Sequence, residues 1–141
     1  MTVFLVAGHL DDFSKNYLKS LSKHNIFVGI DYGAYFLVKE KIPVSLAVGD
    51  FDSLSDTEKK LVKETAQKVK SLPKEKDDTD TQAALELAIS FYPEENYVIL
   101  GGIGGRLDHF LANLYLPLEK RFSPYAEKIS FRNRQNAVSF Y

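Results

Sequence analysis

Residues 96–113 read NYVILGGIGGRLDHFLAN: a short apolar run, then four glycines, an arginine, an aspartate and a histidine within residues 101–109. Apolar, β-branched residues in a run this short fit a buried strand. Leu107, Phe110, Leu111, Leu114 and Leu118 then recur at helical spacing on one face, so a helix should come next and pack on the sheet, with Pro117 ending or kinking it. The joint between them is rich in glycine, which lets the backbone turn sharply or approach a ligand, and the helix start offers unpaired N–H groups to an anion.

The same unit recurs upstream. Apolar runs at Val3–Ala7, Ile26–Ile30, Ser45–Val48, Lys68–Leu72 and Tyr97–Leu100 are each separated by a segment long enough for a helix. Ser55 with Glu58, and Thr79 with Gln82, have the spacing of capping boxes and mark two helix starts. This alternation predicts an α/β fold, a mainly parallel sheet flanked by helices in a Rossmann-like three-layer arrangement. The pattern changes at the end, where KISFRNRQNAVSFY suggests two short strands around a polar turn at Asn133–Asn136. Residues 1–125 therefore read as one α/β domain, and residues 126–141 as the start of an all-β region that is largely absent.

Composition narrows the function classes. The chain has 141 residues, 45% hydrophobic and 26% charged, so one globular core is expected. A formal net charge of -1 gives no general electrostatic case for nucleic acid or an anionic membrane surface, so any anion site must be local. The absence of cysteine excludes disulfides, thiolate metal sites and a cysteine nucleophile. The start, MTVFLVAGHLDD, has no basic leader, and no segment reaches the roughly 20 apolar residues of a membrane span. A cytoplasmic protein is the expectation.

In an open α/β sheet ligands bind outside the carboxyl ends of the strands. The five expected strands are succeeded, in turn, by Gly8-His9-Leu10-Asp11-Asp12, Asp31-Tyr32-Gly33, GDFDS at 49–53, KEKDDTD at 74–80 and GGIGGRLDH at 101–109. Acids and glycines thus collect along one sheet edge. Within GDFDS an extended backbone points Asp50 and Asp52 the same way, two hard oxygen ligands of the kind Mg²⁺ takes beside substrate phosphates; the same residues also suit a turn that leads into the next helix. KEKDDTD sets Lys76 before acids that a helix dipole alone would favour. Arg106 and Asp108 can pair with each other, and His109 can serve as a cap. Read jointly, the acids, the two cations and the glycine loop describe a Mg-nucleotide site.

Asp31-Tyr32-Gly33, GDFDS, KDDTD at 76–80 and GGIGGRLDH with Asn113, in this order over about the first 115 residues, resemble the thiamine pyrophosphokinase (thiamine diphosphokinase) family. One departure stands out: the family usually reads Asp-Gly-Gly at the first motif, where this chain has Tyr32. The resemblance implies transfer of a pyrophosphoryl group from ATP to thiamine, giving thiamine diphosphate and AMP, with Mg²⁺. Carried over by motif, it implies that Asp50, Asp52 and Asp80 hold Mg²⁺, with Asp77 or Asp31 reaching it through water. Lys76 and Arg106 would contact phosphates, and Asp108 would orient or deprotonate the thiamine hydroxyl. Ser53, Thr79, His109, Asn113 and Gly101, Gly102, Gly104 and Gly105 would complete the nucleotide side. It also implies a β-sandwich domain and a homodimer with thiamine bound between subunits, so this chain is expected to hold Mg-ATP while lacking most of the thiamine pocket. The rival readings are a Mg-dependent nucleotide phosphohydrolase and a non-catalytic nucleotide-binding module.

Overall fold

A computed structural model of the chain describes residues 1–8, 10–21, 23–73, 79–101, 122–132 and 137–139. In chain order the elements are β1 (Thr2–Val6), α1 (Asp12–Ser20), β2 (Ile26–Ile30), α2 (Tyr32–Lys39), β3 (Leu46–Gly49), α3 (Asp56–Thr65), β4 (Lys68–Ser71), α4 (Asp80–Phe91) and β5 (Asn96–Leu100). A short 3-10 helix (Ser123–Lys128), β6 (Ile129–Arg132) and β7 (Ala137–Ser139) come after them. The strands form one sheet in the order β4-β3-β2-β1-β5-β6-β7. β1 to β6 run parallel, and β7 is antiparallel to β6. The five expected strands, the α/β class and both capping boxes are therefore present. The helix expected over 107–118 lies outside the described residues.

Alternate residues of the central strands feed two cores. Val3 and Leu5 of β1, Val28 and Ile30 of β2, Leu46 and Val48 of β3, and Tyr97 and Ile99 of β5 pack with Ala84, Leu85, Ala88 and Ile89 of α4. Phe4, Val6, Phe27, Ala47 and Leu100 face the opposite way, against Leu18 of α1, Ala34, Phe36 and Leu37 of α2, and Val62 of α3. Burial on both faces explains why β1 and β2 read as unbroken apolar runs instead of alternating ones. β4 differs because it is an edge: all four of its residues are exposed, and its lysines guard the open edge against further pairing.

Residues 126–141 were expected to open a second, all-β region. Both strands form, but they extend the α/β sheet itself: Ile129 and Phe131 of β6 are buried in the α4-side core, and β6 aligns with β5 from Tyr97–Ile129 to Leu100–Arg132. Apolar alternation in this strand is satisfied by the existing core, so no separate body is needed to bury it. Among the described residues no helix is long and apolar enough to cross a membrane.

Two contacts fix the helices that carry the site. A Cβ on Gly29 of β2 would overlap the Ala34 backbone of α2, and one on Gly33 would overlap the Val6 carbonyl of β1. Glycine at both positions lets α2 settle directly on the sheet. α4 begins at the carboxyl edge, where Thr79 Oγ1 accepts from the Gln82 N–H at 3.1 Å and the Thr79 N–H donates to Gln82 Oε1 at 2.7 Å.

Candidate cation site at the strand ends

Three carboxylates meet at the carboxyl edge of the sheet. Asp31 comes directly after β2, Asp50 directly after β3, and Asp80 opens α4; each offers an oxygen such that all three lie within 4.8 Å of one another. All three are half-buried. No two are neighbours in sequence, and they converge because β2 and β3 are adjacent while α4 crosses the face of both.

Asp31 is the pivot. Its backbone takes a left-handed φ of 51°, sparsely populated for a residue with a Cβ. Its N–H donates to the Val48 carbonyl at 3.0 Å, so β2 and β3 stay paired to this point. Asp31 Oδ1 accepts the Phe51 N–H at 2.9 Å, although Phe51 is 20 residues further on. Phe51 is also left-handed, φ 61°, with its side chain 2% exposed. Two such conformations cost on the order of 1–3 kcal/mol each. Burial of the Phe51 ring, worth about 1.5–3 kcal/mol, and the hydrogen bond to the carboxyl group offset much of that.

The electrostatics reflect the crowding. Burial, a side-chain hydrogen bond with Asp80, and the like charges of Asp80 and Asp50 together push the Asp31 carboxyl up to about 8, against the opposing pull of the Phe51 N–H. With no cation Asp31 therefore keeps its proton at neutral pH and shares it with Asp80. Three acids packed so closely that one holds its proton are a donor set suited to a hard divalent cation, which favours the ionised form of all three.

The structure also shows where the sequence-based site residues fall. Asp50 and Asp80 are together as expected, but the third member is Asp31 rather than Asp52. The expected extended path through GDFDS is broken by the left-handed Phe51, so Asp50 and Asp52 do not present in parallel. Asp52 is exposed, and its N–H donates to Asp50 Oδ1 at 3.0 Å, which makes 50–52 the turn that the residue types also allowed. Ser53 is exposed in the same turn. Thr79 is committed to capping α4. Gly101 is buried at the end of β5 with φ 81°, a conformation that glycine supplies without strain. Lys76, Asp77, Gly102, Gly104, Gly105, Arg106, Asp108, His109 and Asn113 lie outside the described residues. At Tyr32, the departure from Asp-Gly-Gly, the left-handed conformation falls on Asp31 and not on the tyrosine, which begins α2 and packs edge-on against Tyr35 at 5.8 Å. That Asp31 comes as close to Asp50 and Asp80 as they do to each other is the relationship that sequence reasoning did not specify; an acid placed immediately after an apolar strand was the available signal.

Comparison with known proteins identifies the family and its fold. The family model of the thiamin pyrophosphokinase catalytic domain matches residues 17–127. A thiamine pyrophosphokinase of Bacillus subtilis strain 168 is 33% identical over 115 residues, which cover 82% of this chain and 53% of that protein. The crystal structure of a thiamin pyrophosphokinase family protein from Enterococcus faecalis superposes with a TM-score of 0.90 at 42% identity, over all of this chain and 65% of the other. Yeast thiamin pyrophosphokinase shares the fold, with a TM-score of 0.70 at 18% identity over 93% of this chain and 58% of that one. The chain thus spans between about half and two thirds of the length of these relatives.

Proposed function

The chain belongs to the thiamin pyrophosphokinase catalytic-domain family, and from that membership we propose that it supplies the nucleotide half of an enzyme making thiamine diphosphate and AMP from thiamine and ATP. The observation that carries the reading is the convergence of Asp31, Asp50 and Asp80 within 4.8 Å at the carboxyl edge of a parallel sheet.

In the proposed reaction the thiamine hydroxyl oxygen forms a bond to the β-phosphorus of ATP. The bond between that phosphorus and the α–β bridging oxygen breaks, and its electron pair leaves on AMP. Asp31, Asp50 and Asp80 would hold Mg²⁺, which when bound supplies positive charge to the phosphate oxygens. Asp52, in the exposed turn beside Asp50, orients that corner through its N–H. Lys76 and Arg106 neutralise phosphate charge, and the Gly101–Gly105 backbone comes close to the phosphate chain. Asp108 orients the hydroxyl and accepts its proton. Catalysis of this kind rests on positioning and electrostatics more than on covalent chemistry. A cytoplasmic homodimer, with thiamine bound at the subunit boundary, completes the proposal; it is supported by the family resemblance alone.

Phosphorus NMR of the protein with ATP and Mg²⁺, with and without thiamine, is the test. Thiamine-dependent AMP and thiamine diphosphate support the proposal. ADP and phosphate formed regardless of thiamine would replace it with a phosphohydrolase. ATP that stays intact while its resonances shift would leave these 141 residues as a nucleotide-binding half whose thiamine pocket lies elsewhere.

A further inference from the structure

We propose that Asp31 is a positioning residue that clasps the Gly49–Phe51 corner and so holds Asp50 toward Asp80, and that glycine at position 49 serves this clasp. The proposal rests on reading the three acids as a cation site. One oxygen of Asp31, Oδ1, is committed to the Phe51 N–H at 2.9 Å. The peptide so held is the one that joins Asp50 to Phe51, and its orientation sets where the Asp50 side chain leaves the backbone.

Three further observations converge on the same contact. Phe51 keeps a left-handed φ of 61° while its ring is 2% exposed, so the corner is pinned from the core side as well. The Asp31 N–H to Val48 carbonyl bond, 3.0 Å, fixes the other end of the clasp one residue before Gly49. At Gly49 itself, φ 142°, a Cβ would overlap Asp31 Oδ1. A side chain there and the clasp are mutually exclusive. Gly49 therefore leaves room for a carboxyl group of the chain itself, a different task from the approach to phosphate usual for a glycine at a strand end.

The test reads binding of Mn²⁺ alone, by its electron paramagnetic resonance signal, beside amide exchange at Phe51. Gly49→Ala removes no acidic residue, yet by displacing the Asp31 carboxyl group it should weaken Mn²⁺ binding about 10- to 100-fold, the range typical of lost ligand support. Asp31→Asn keeps an acceptor oxygen and should keep the Phe51 amide protected, whereas Asp31→Ala should expose it. Because φ at Gly49 also disfavours alanine, Asp31→Ala and Gly49→Ala are combined. A shared clasp makes the double variant bind Mn²⁺ little more weakly than Asp31→Ala, where independent effects would multiply. Folded Gly49→Ala protein with wild-type Mn²⁺ affinity would overturn the proposal, as would Asp31→Ala with Phe51 still protected. If Gly49→Ala does not fold, the Asp31→Asn and Asp31→Ala exchange comparison decides. If the wild-type protein binds no Mn²⁺, the cation reading fails while amide exchange still judges the clasp.

Discussion

The carboxyl groups of Asp31 and Asp80 share a hydrogen bond although α2, β3, α3 and β4 lie between them in sequence. Two acids in such contact at the end of a sheet, with Asp50 beside them, store an electrostatic conflict that a proton or a divalent cation relieves.

That conflict makes stability depend on pH. The folded-state value of Asp31, about 8, lies above the ordinary 3.8. The native state therefore holds a proton that the unfolded chain has lost, and stability falls as pH rises between those two values, then levels off above the folded one. Thermal melts of the cation-free protein should show Tm declining from about pH 5 to about pH 8, and Asp31→Asn should flatten that slope. Millimolar Mg²⁺ should raise Tm more at the upper pH than at the lower, where protons compete with it. An equal Mg²⁺ effect at both ends would rule out the shared-proton arrangement.

Asp50 and Asp52 should separate. Asp50→Asn removes a member of the trio and is expected to lower Mg²⁺ affinity at least about tenfold, while Asp52→Asn, exposed and outside the trio, should change it by no more than about threefold. Isothermal titration with Mg²⁺ measures both; equal losses would restore the parallel presentation that the extended GDFDS reading implied.

The two capping boxes give a matched pair. Ser55→Ala and Thr79→Ala each remove a side-chain acceptor from a helix start and should each cost about 0.5–2 kcal/mol in urea unfolding. Only Thr79→Ala frays the turn that carries Asp80, so only that variant should also weaken Mg²⁺ binding.

Gly29→Ala should be severely destabilising, since its Cβ would overlap the Ala34 Cα as well as the Ala34 Cβ. Ala34→Gly removes only the Cβ, so the double variant should recover little of the lost stability. A chemical denaturation midpoint close to wild type in the double variant would show that α2 can slide along the sheet.

Leu85→Ala, on the fully buried face of α4, should cost about 2–5 kcal/mol through lost burial and the cavity left behind. Its effect on Mg²⁺ binding, read by the same titration, should be small unless α4 itself shifts, because Asp80 is held by its own cap one turn earlier.

Local signals along the chain were enough for the α/β alternation, the positions of five strands and two helix starts, and the collection of acids at one edge. Apolar runs buried on both faces, Ser and Thr with Glu and Gln at cap spacing, and charge placed after each run all act within a few residues. Which acids meet is a matter of long-range packing. Strand order puts β2 beside β3 and lays α4 across them, and this brings Asp31 and Asp80 together with Asp50. The left-handed turn at Phe51 removes Asp52, because a backbone conformation stabilised by a buried ring and a distant carboxyl group has no signature within five residues of sequence. For the same reason β6 and β7 looked like a new region: alternation along a strand records that one face is buried but not against which sheet.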